Sequence, residues 1–268
     1  MCDVCGCGDP NLVTVDVHAS LLSNNDRQAR HLRAHFGAVG VTTINLMGSP
    51  GSGKTALLEA TARAFAGRRR LAAVSGDLAT QRDADRLAKA GIPSAAITTG
   101  TACHLDAAMV HHALHGPLAA AVDQADFFFI ENVGNLVCPA IYDLGQTKNV
   151  VALSLTEGAD KPLKYPVMFK NADLCVLTKI DLLPHLDLDL AELRDNLAQV
   201  MPRPVVIEVA ATRDRGLDPW LAWLEALHRE VTPPRRPLAL KHGGLDPRAP
   251  RLRVGSRPLE QRRIADGS

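Results

Sequence analysis

The sequence lacks the long apolar segments of a membrane protein and the leader of a secreted one. No stretch of its 268 residues approaches the ~18 apolar residues that a membrane-spanning helix needs. Its first residues, Met-Cys-Asp-Val-Cys, offer neither the positive charge nor the apolar core of a secretory signal. We therefore expect a soluble, cytoplasmic protein without a membrane partner.

A strong overall charge is also absent, since 30 Lys and Arg stand against 29 Asp and Glu. The balance is uneven along the chain. Residues 233–268 hold nine basic residues, three acidic residues and six prolines, which leaves residues 1–232 with a net charge of −5. A basic face for nucleic acid is therefore not expected in the folded part. The tail at 233–268 has no apolar periodicity and is predicted to be disordered, as a solubilising extension or a docking arm.

Short apolar runs alternate with amphipathic segments through most of the chain. Strands are predicted at 41–47, 71–75, 92–98, 126–131, 150–155, 174–177 and 205–209. Helices are predicted at 21–36, 54–66, 81–90, 104–115, 188–200 and 217–231. This alternation predicts an α/β domain over residues 21–232, with a mostly parallel sheet and helices on both faces. Residues 1–20 form a polar leader that contains three cysteines.

The most specific motif is the segment Gly-Ser-Pro-Gly-Ser-Gly-Lys-Thr at residues 48–55, a complete phosphate-binding loop, or P-loop. It lies between a predicted strand and a predicted helix, as the motif requires. Backbone N–H groups and the helix N-terminus favour phosphate, the lysine reaches the β- and γ-phosphates, and the threonine hydroxyl ligates Mg²⁺. The predicted nucleotide-binding residues of this loop are Gly48, Ser49, Gly51, Ser52, Gly53, Lys54 and Thr55.

Two carboxylates follow predicted strands at the edge of the sheet where such domains bind ligands. Asp77 is predicted to hold a Mg²⁺-bound water or to position the attacking water. Glu131 ends a strongly apolar strand and matches a Walker-B acid, and Gly134 is placed to sense the γ-phosphate through its N–H. We predict Lys54, Asp77 and Glu131 as catalytic residues, and Thr55, Asp77 and Glu131 as magnesium ligands.

The segment Thr-Lys-Ile-Asp at residues 178–181 resembles the Asn-Lys-x-Asp element of GTPases, with Thr178 in place of asparagine. The Asp181 carboxylate can accept hydrogen bonds from N1–H and N2–H₂ of guanine, a donor pair that adenine lacks. Lys179 can lie along the plane of the base. Ala210 begins a segment that resembles the later base-contacting loop. These features favour GTP and GDP over adenine nucleotides.

The leader carries Cys2, Cys5 and Cys7 in the pattern Cys-x-x-Cys-Gly-Cys. In a cytosolic protein, such a cluster favours metal binding over disulfides, with a redox-active tail as the alternative. Three thiolates suit a soft or borderline metal and leave one ligand position open. The terminal amine could complete a planar Ni²⁺ site, and a tetrahedral Zn²⁺ site remains open.

A second set of metal-ligand residues lies inside the nucleotide domain. Cys103 and His104 open the predicted helix at 104–115, and Cys138 comes seven residues after Glu131. Bound metal there would lie near the γ-phosphate sensor. Cys175 lies within a predicted strand and is interpreted as a small buried apolar side chain. The histidines at 111, 112 and 115 are interpreted as solvated or core residues rather than ligands.

Together, these motifs closely resemble the HypB family, the GTPases that deliver nickel during hydrogenase maturation. The segments that carry the resemblance are 2–7, 48–55, 102–106, 131–139, 156–162 and 178–181. The resemblance covers about residues 1–230. It implies slow GTP hydrolysis, a nucleotide-dependent homodimer, a partner nickel metallochaperone and transfer of nickel to the precursor of the [NiFe]-hydrogenase large subunit.

The resemblance also assigns metal sites to this sequence. The high-affinity nickel site maps to Cys2, Cys5 and Cys7, and a nickel or zinc site maps to Cys103, His104 and Cys138. The histidine-rich storage tract of some relatives is missing, so bulk nickel storage is not expected. The alternatives are a urease-maturation type of GTPase, a metal buffer whose nucleotide site only stabilises the fold, and a P-loop kinase.

Overall fold

The computed structural model describes residues 10–77, 80–100, 102–116 and 118–232, with the backbone alone for residues 10–21. Seven strands form one sheet in the order β3-β2-β4-β1-β5-β6-β7. Every strand pair in this sheet is parallel. The strands are β1 Thr42–Met47, β2 Leu71–Asp77, β3 Ser94–Thr98, β4 Phe127–Glu131, β5 Lys148–Ser154, β6 Leu174–Thr178 and β7 Val206–Val209.

Helices cover both faces of the sheet. They are α1 Pro10–Val39, α2 Lys54–Phe65, α3 Arg82–Lys89, α4 Ala107–Leu114, α5 Ala119–Val122, α6 Lys161–Lys164, α7 Pro166–Lys170, α8 Leu190–Val200 and α9 Leu217–Val231. Side chains of α2, α3 and α9 pack on one face of the sheet. On the other face, α1, α4 and α5 cover one half and α7 and α8 the other.

Alternate residues of the central strands point to opposite faces, and both faces are buried. In β4, Phe127 and Phe129 pack with α2 and α9, whereas Phe128 and Ile130 pack with α1 and α4. A strand that is buried on both sides has to be apolar at consecutive positions. The unbroken apolar run in this segment therefore follows from its central place in the sheet.

Several element boundaries differ from the predicted ones. Helix α1 begins at Pro10, eleven residues before its predicted start, so it runs into the segment predicted as a leader. Strand β3 begins at Ser94, because Pro93 has no N–H for the ladder. The prediction that Cys103 and His104 open a helix was wrong. Helix α4 begins at Ala107, because the Asp106 carboxylate caps it by accepting a hydrogen bond from the Met109 N–H at 2.8 Å.

The topology places the P-loop and the two predicted strand-end acids at one edge of the sheet. Strand β1 lies between β4 and β5, and its carboxyl end leads into the P-loop. Asp77 and Glu131 end strands β2 and β4 on the same edge of the sheet. The strand order reverses at β1, because β2, β3 and β4 lie on one side of it and β5, β6 and β7 lie on the other. Such a reversal opens the crevice in which parallel α/β sheets bind ligands. Within the part of the chain that the structure describes, no helix is long and apolar enough to cross a membrane.

Candidate functional site: a nucleotide cleft joined to a metal-ligand cluster

The P-loop turns closely around its own lysine. Lys54 is buried, and its Nζ donates to the carbonyls of Gly48 and Ser49 at 3.3 and 3.1 Å. Burial lowers the pKa of Lys54, against the opposing charge of Glu131. A bound phosphate would give this ammonium group a negatively charged hydrogen-bond acceptor. The loop can pass this close to β5 because residue 48 is a glycine. A Cβ at Gly48, where φ is +150°, would lie 2.4 Å from the Ala152 carbonyl oxygen.

Beside the P-loop, acidic and hydroxyl oxygens converge in a cleft of about 490 Å³. The Thr55 hydroxyl lies 2.6 Å from Glu131 Oε1 and 3.0 Å from Asp83 Oδ1. Glu131 is buried, and its Oε2 has no hydrogen-bond partner among the described residues. Burial raises the pKa of Glu131 to about 7, although the Thr55 hydrogen bond and the Lys54 charge lower it. Asp77 also lines the cleft.

These oxygens fit a magnesium ion. Mg²⁺ prefers hard oxygen ligands and is usually held by one or two carboxylates together with nucleotide phosphates. Thr55, Glu131 and Asp77 supply such a donor set, and the unpartnered Oε2 of Glu131 is a buried lone pair that a cation would satisfy. A bound cation would also favour the ionised form of Glu131, which burial alone disfavours.

Two cleft residues, Asp83 and Arg86, were missed by the sequence analysis. Both belong to α3, and both line the cleft. Arg86 is held by Glu59, with Nη2 2.8 Å from Glu59 Oε2, and it also contacts Asp83. The sequence indicates them only by their position in the first two turns of the helix that follows β2. This indication is weak, because charged residues are common in the first turn of any surface helix.

On the other side of the P-loop, the predicted guanine-reading segment supports the loop directly. The Thr178 hydroxyl donates to the Ser52 carbonyl at 2.6 Å, so threonine supplies a loop-supporting contact at the position where GTPases carry asparagine. Lys179 adopts a left-handed backbone with φ of +59°, and its Nζ donates to the Gly51 carbonyl at 2.7 Å. Asp181 is largely buried and lies 3.9 Å from Arg213, in the turn that follows Ala210. The two segments predicted to contact the base are therefore adjacent.

We expect Asp181→Asn to weaken GTP binding much more than ATP binding. The amide replaces one acceptor oxygen with a donor that faces the donors of guanine, which should cost about 1–3 kcal/mol, roughly 5- to 150-fold in Kd. Competition of GTP and ATP for a fluorescent nucleotide measures both constants. Asp187→Asn, on a neighbouring loop, is the control. Equal weakening of both nucleotides would show that Asp181 does not read the base.

The three inner metal-ligand residues predicted from the sequence are brought together. Ligand atoms of Cys103, His104 and Cys138 all lie within 4.8 Å of one another. The two Sγ atoms are 2.8 Å apart, and Cys103 Sγ is 3.9 Å from His104 Nδ1. The His104 ring stacks on Tyr142, with ring centroids 3.8 Å apart, which fixes its orientation.

The donor atoms of this cluster suit a thiophilic cation. The Cys103 thiol, followed by burial, raises the pKa of Cys138, so a metal ion has to displace the proton of this thiol. Burial lowers the pKa of His104 and favours its neutral, ligating form. Two thiols and an imidazole form a set that binds Zn²⁺ or Ni²⁺ and leaves room for a further ligand. Binding must displace thiol protons, so metal affinity falls as the pH falls.

The cluster is joined to the nucleotide cleft through one short segment. Gly134 packs so closely on the P-loop that a Cβ there would lie 2.8 Å from Pro50. The next residue, Asn135, forms a β-bridge with Gly48 and donates from its side chain to the Cys103 carbonyl at 3.2 Å. The segment that carries the predicted γ-phosphate sensor therefore contacts the P-loop and one metal-ligand residue.

Of the other cysteines, only Cys175 lies within the described part. It is fully buried in β6, and burial raises the pKa of its thiol, as expected for a small core residue. Cys2, Cys5 and Cys7 lie outside the described residues, so their metal site stays a prediction. The predicted tail at 233–268 also lies outside them.

Comparison with known proteins identifies the family. The family model described as CobW/HypB/UreG, nucleotide-binding domain, matches residues 42–208. The hydrogenase maturation factor HypB of Azotobacter vinelandii is 49% identical over 211 residues, which cover 78% of this chain and 68% of the relative. The chain belongs to the HypB family. The resemblance inferred from its motifs is thereby confirmed.

Other HypB proteins extend the match to solved structures. The hydrogenase/urease maturation factor HypB of Helicobacter pylori is 38% identical, covering 83% of this chain and 92% of the relative. The crystal structure of HypB from Helicobacter pylori in complex with nickel superimposes with a TM-score of 0.74 at 39% identity, covering 77% and 96% of the two chains. HypB from Archaeoglobus fulgidus gives a TM-score of 0.71 at 35% identity, covering 77% and 100%. These matches confirm the predicted P-loop α/β fold.

Proposed function

We propose that the chain is a GTP-hydrolysing nickel metallochaperone that helps to insert nickel into [NiFe]-hydrogenase during its maturation. The observation that carries this proposal is the contact of Asn135 with both the P-loop and Cys103. A change at the γ-phosphate thereby has a direct route to a cluster suited to nickel. The nickel-bound HypB of Helicobacter pylori supports Ni²⁺ as the cargo. Zn²⁺ is a second ion that the same donor set would accept.

For hydrolysis, the predicted cleft residues share the binding of phosphate, magnesium and water. Lys54 neutralises charge on the β- and γ-phosphates, and Asp77 positions the attacking water. Thr55, Asp77 and Glu131 would hold Mg²⁺, which supplies charge stabilisation for the phosphates when bound. The Gly134 N–H senses the γ-phosphate. Slow intrinsic turnover is expected, because GTPases of this kind act as switches.

A nucleotide-dependent homodimer is part of the proposal. Val137, Ile141 and Val167 are each 53% exposed. The first two flank the short helical turn that begins at Cys138, and α7, which carries Val167, packs against that turn. Exposed apolar side chains beside metal-ligand residues are typical of a surface that a partner covers. A second copy placed there would bring two clusters together and allow them to share an ion.

The leader completes the proposal. Cys2, Cys5 and Cys7 would bind nickel with high affinity and pass it on. A partner nickel metallochaperone and the hydrogenase large-subunit precursor are the further partners expected for a HypB protein in the cytoplasm. Insertion of nickel into urease is the second candidate function, because relatives from Helicobacter species are hydrogenase/urease maturation factors.

A transfer assay tests the proposed function. The chain is loaded with radioactive Ni²⁺ and mixed with the partner metallochaperone and the hydrogenase large-subunit precursor. The radioactivity that the precursor acquires measures the nickel transferred. We expect transfer to require hydrolysable GTP, because the switch releases metal only as the γ-phosphate leaves. Urease apoprotein serves as the competing acceptor. A metal buffer would deliver equal amounts with GTP, GDP or no nucleotide, and that result would contradict the proposal.

A further inference from the structure

Four histidines face one another across helices α1 and α4, away from the sites described above. His31 and His35 lie one turn apart on α1, and His111 and His115 lie one turn apart at the end of α4. Side chains at positions i and i+4 share one face of a helix. From the sequence alone, the histidines of α4 are interpreted as solvated or core residues, because the sequence does not show which helix packs against them.

The core beneath the histidines holds the two helices in register. The buried side chains that join them are Ala29, Leu32, Phe36, Val110, Ala113 and Leu114. At the other end of the contact, Asn25 Oδ1 accepts a hydrogen bond from the Ala107 N–H at 2.9 Å. The histidines are therefore mounted on two helices that are fixed by packing and by a buried hydrogen bond. Such rigid elements are good supports for a metal site.

Three of the four rings are already close enough for chelation. Ligand nitrogens of His31, His111 and His115 all lie within 4.8 Å of one another. The ring centroids of His31 and His111 are 5.5 Å apart, and those of His111 and His115 are 4.2 Å apart. Tetrahedral Zn²⁺ with bonds of about 2.0–2.1 Å brings its ligand nitrogens to about 3.3 Å. Side-chain rotations that shift the ring nitrogens by about an ångström would close this gap without moving the helices.

The chemistry of the set selects the class of ion. Imidazole nitrogens suit Zn²⁺, Ni²⁺ and Cu²⁺, whereas Mg²⁺ and Ca²⁺ prefer oxygen. Burial, followed by the neighbouring histidines, lowers the pKa of His111 and so favours its neutral, ligating form. His35 lies beside the set, its ring 5.9 Å from that of His115, and its Nε2 is 3.7 Å from Asp123 Oδ1. It can support the site as an outer partner.

We propose that His31, His111 and His115 form a separate surface site for a divalent transition-metal ion. The site spans two helices, contains only imidazole ligands and leaves one position for water or an incoming ligand. Because His31 and His115 are exposed and His111 is half-buried, the site is open to ions in solution. It lies at the opposite end of α4 from Cys103 and His104, so it can bind its ion independently of the thiol cluster.

Nickel titration of the full chain tests this site. Equilibrium dialysis with Ni²⁺ alone counts the ions bound per chain, and the near-ultraviolet thiolate-to-nickel absorption reports the cysteine sites separately. We expect His111→Asn to remove one bound ion, or to lower the affinity for that ion by roughly 10-fold or more. Loss of a residue that only supports a metal ligand already lowers metal affinity by roughly 10- to 100-fold. The thiolate absorption should stay unchanged.

Two further variants make the test specific. His31→Asn, on the other helix, should produce the same loss as His111→Asn. His112→Asn is the matched control, because His112 is an exposed histidine of α4 outside the cluster, and it should bind as the parent does. Circular dichroism verifies that each variant is folded. The proposal is overturned if His111→Asn keeps every ion, if His31→Asn has no effect, or if His112→Asn shows the same loss.

Discussion

Replacing Lys54 with alanine is expected to abolish measurable GTP hydrolysis. Lys54 is buried at the base of the P-loop, with its ammonium group directed at loop carbonyls and beside the cleft that Thr55 and Glu131 line. Loss of one donor that stabilises transition-state charge costs roughly 10²- to 10³-fold in rate. For an enzyme with slow intrinsic turnover, that loss falls below detection. Single-turnover release of phosphate from radiolabelled GTP measures the effect.

A matched surface lysine controls for the loss of positive charge. Lys164 is exposed and forms an ion pair with Asp160 at 2.5 Å, so Lys164→Ala should hydrolyse GTP as the parent does. Nickel binding by the leader cysteines should be the same in Lys54→Ala as in the parent. If Lys54→Ala retained the parental rate, residues 48–55 would not be the hydrolytic site.

The second large effect is expected at Cys138. Cys138→Ala removes one of two thiols from a cluster whose sulfur atoms are 2.8 Å apart and leaves only Cys103 and His104 as ligands. We expect the inner site to lose Ni²⁺ and Zn²⁺ binding, with affinity at least 100-fold lower, because loss of a ligand costs more than the 10- to 100-fold of an outer-shell partner. Metal titration in a chain that has serine at positions 2, 5 and 7 and also carries His111→Asn isolates this site.

The control is the remaining cysteine of the domain. Cys175→Ala removes a fully buried thiol in β6, so it should lower the melting temperature and leave metal affinity unchanged. GTP hydrolysis by Cys138→Ala should persist, because Cys138 does not line the nucleotide cleft. Parental metal affinity in Cys138→Ala would contradict the assignment of the inner site.

The nucleotide site was predictable because its chemistry is local in sequence. A P-loop needs its glycines, lysine and threonine in one run of eight residues, and strand-end acids such as Glu131 follow apolar runs that mark buried strands. The loop-supporting contact of Thr178 was not predictable from the motif. It depends on the distance between the end of β6 and the P-loop, which the sheet order sets.

The contacts between sites were less accessible to sequence reasoning. Asn135 bridges to Gly48 and contacts Cys103 only because β1, β3 and β4, which precede these three residues, end at one edge of the sheet. The chelating arrangement of His31 with His111 likewise depends on how α1 packs on α4, eighty residues further along the chain. The predicted start of α4 was too early because the Asp106 cap, which begins the helix at Ala107, was not recognised in the sequence.

The proposed function requires that nucleotide state and metal affinity are coupled through the segment from Glu131 to Cys138. The direct measurement is titration with Ni²⁺ and, separately, Zn²⁺ of the full chain with serine at positions 2, 5 and 7, bound either to GDP or to a non-hydrolysable GTP analogue. The chain also carries His111→Asn in both nucleotide states, so that only the ion bound at the inner site is counted. We expect metal affinity to differ between the two states by roughly 5- to 150-fold, and metal to change nucleotide affinity by the same factor. Equal metal affinities in both states would contradict this coupling and would mean that Cys103, His104 and Cys138 form a site that does not respond to the nucleotide.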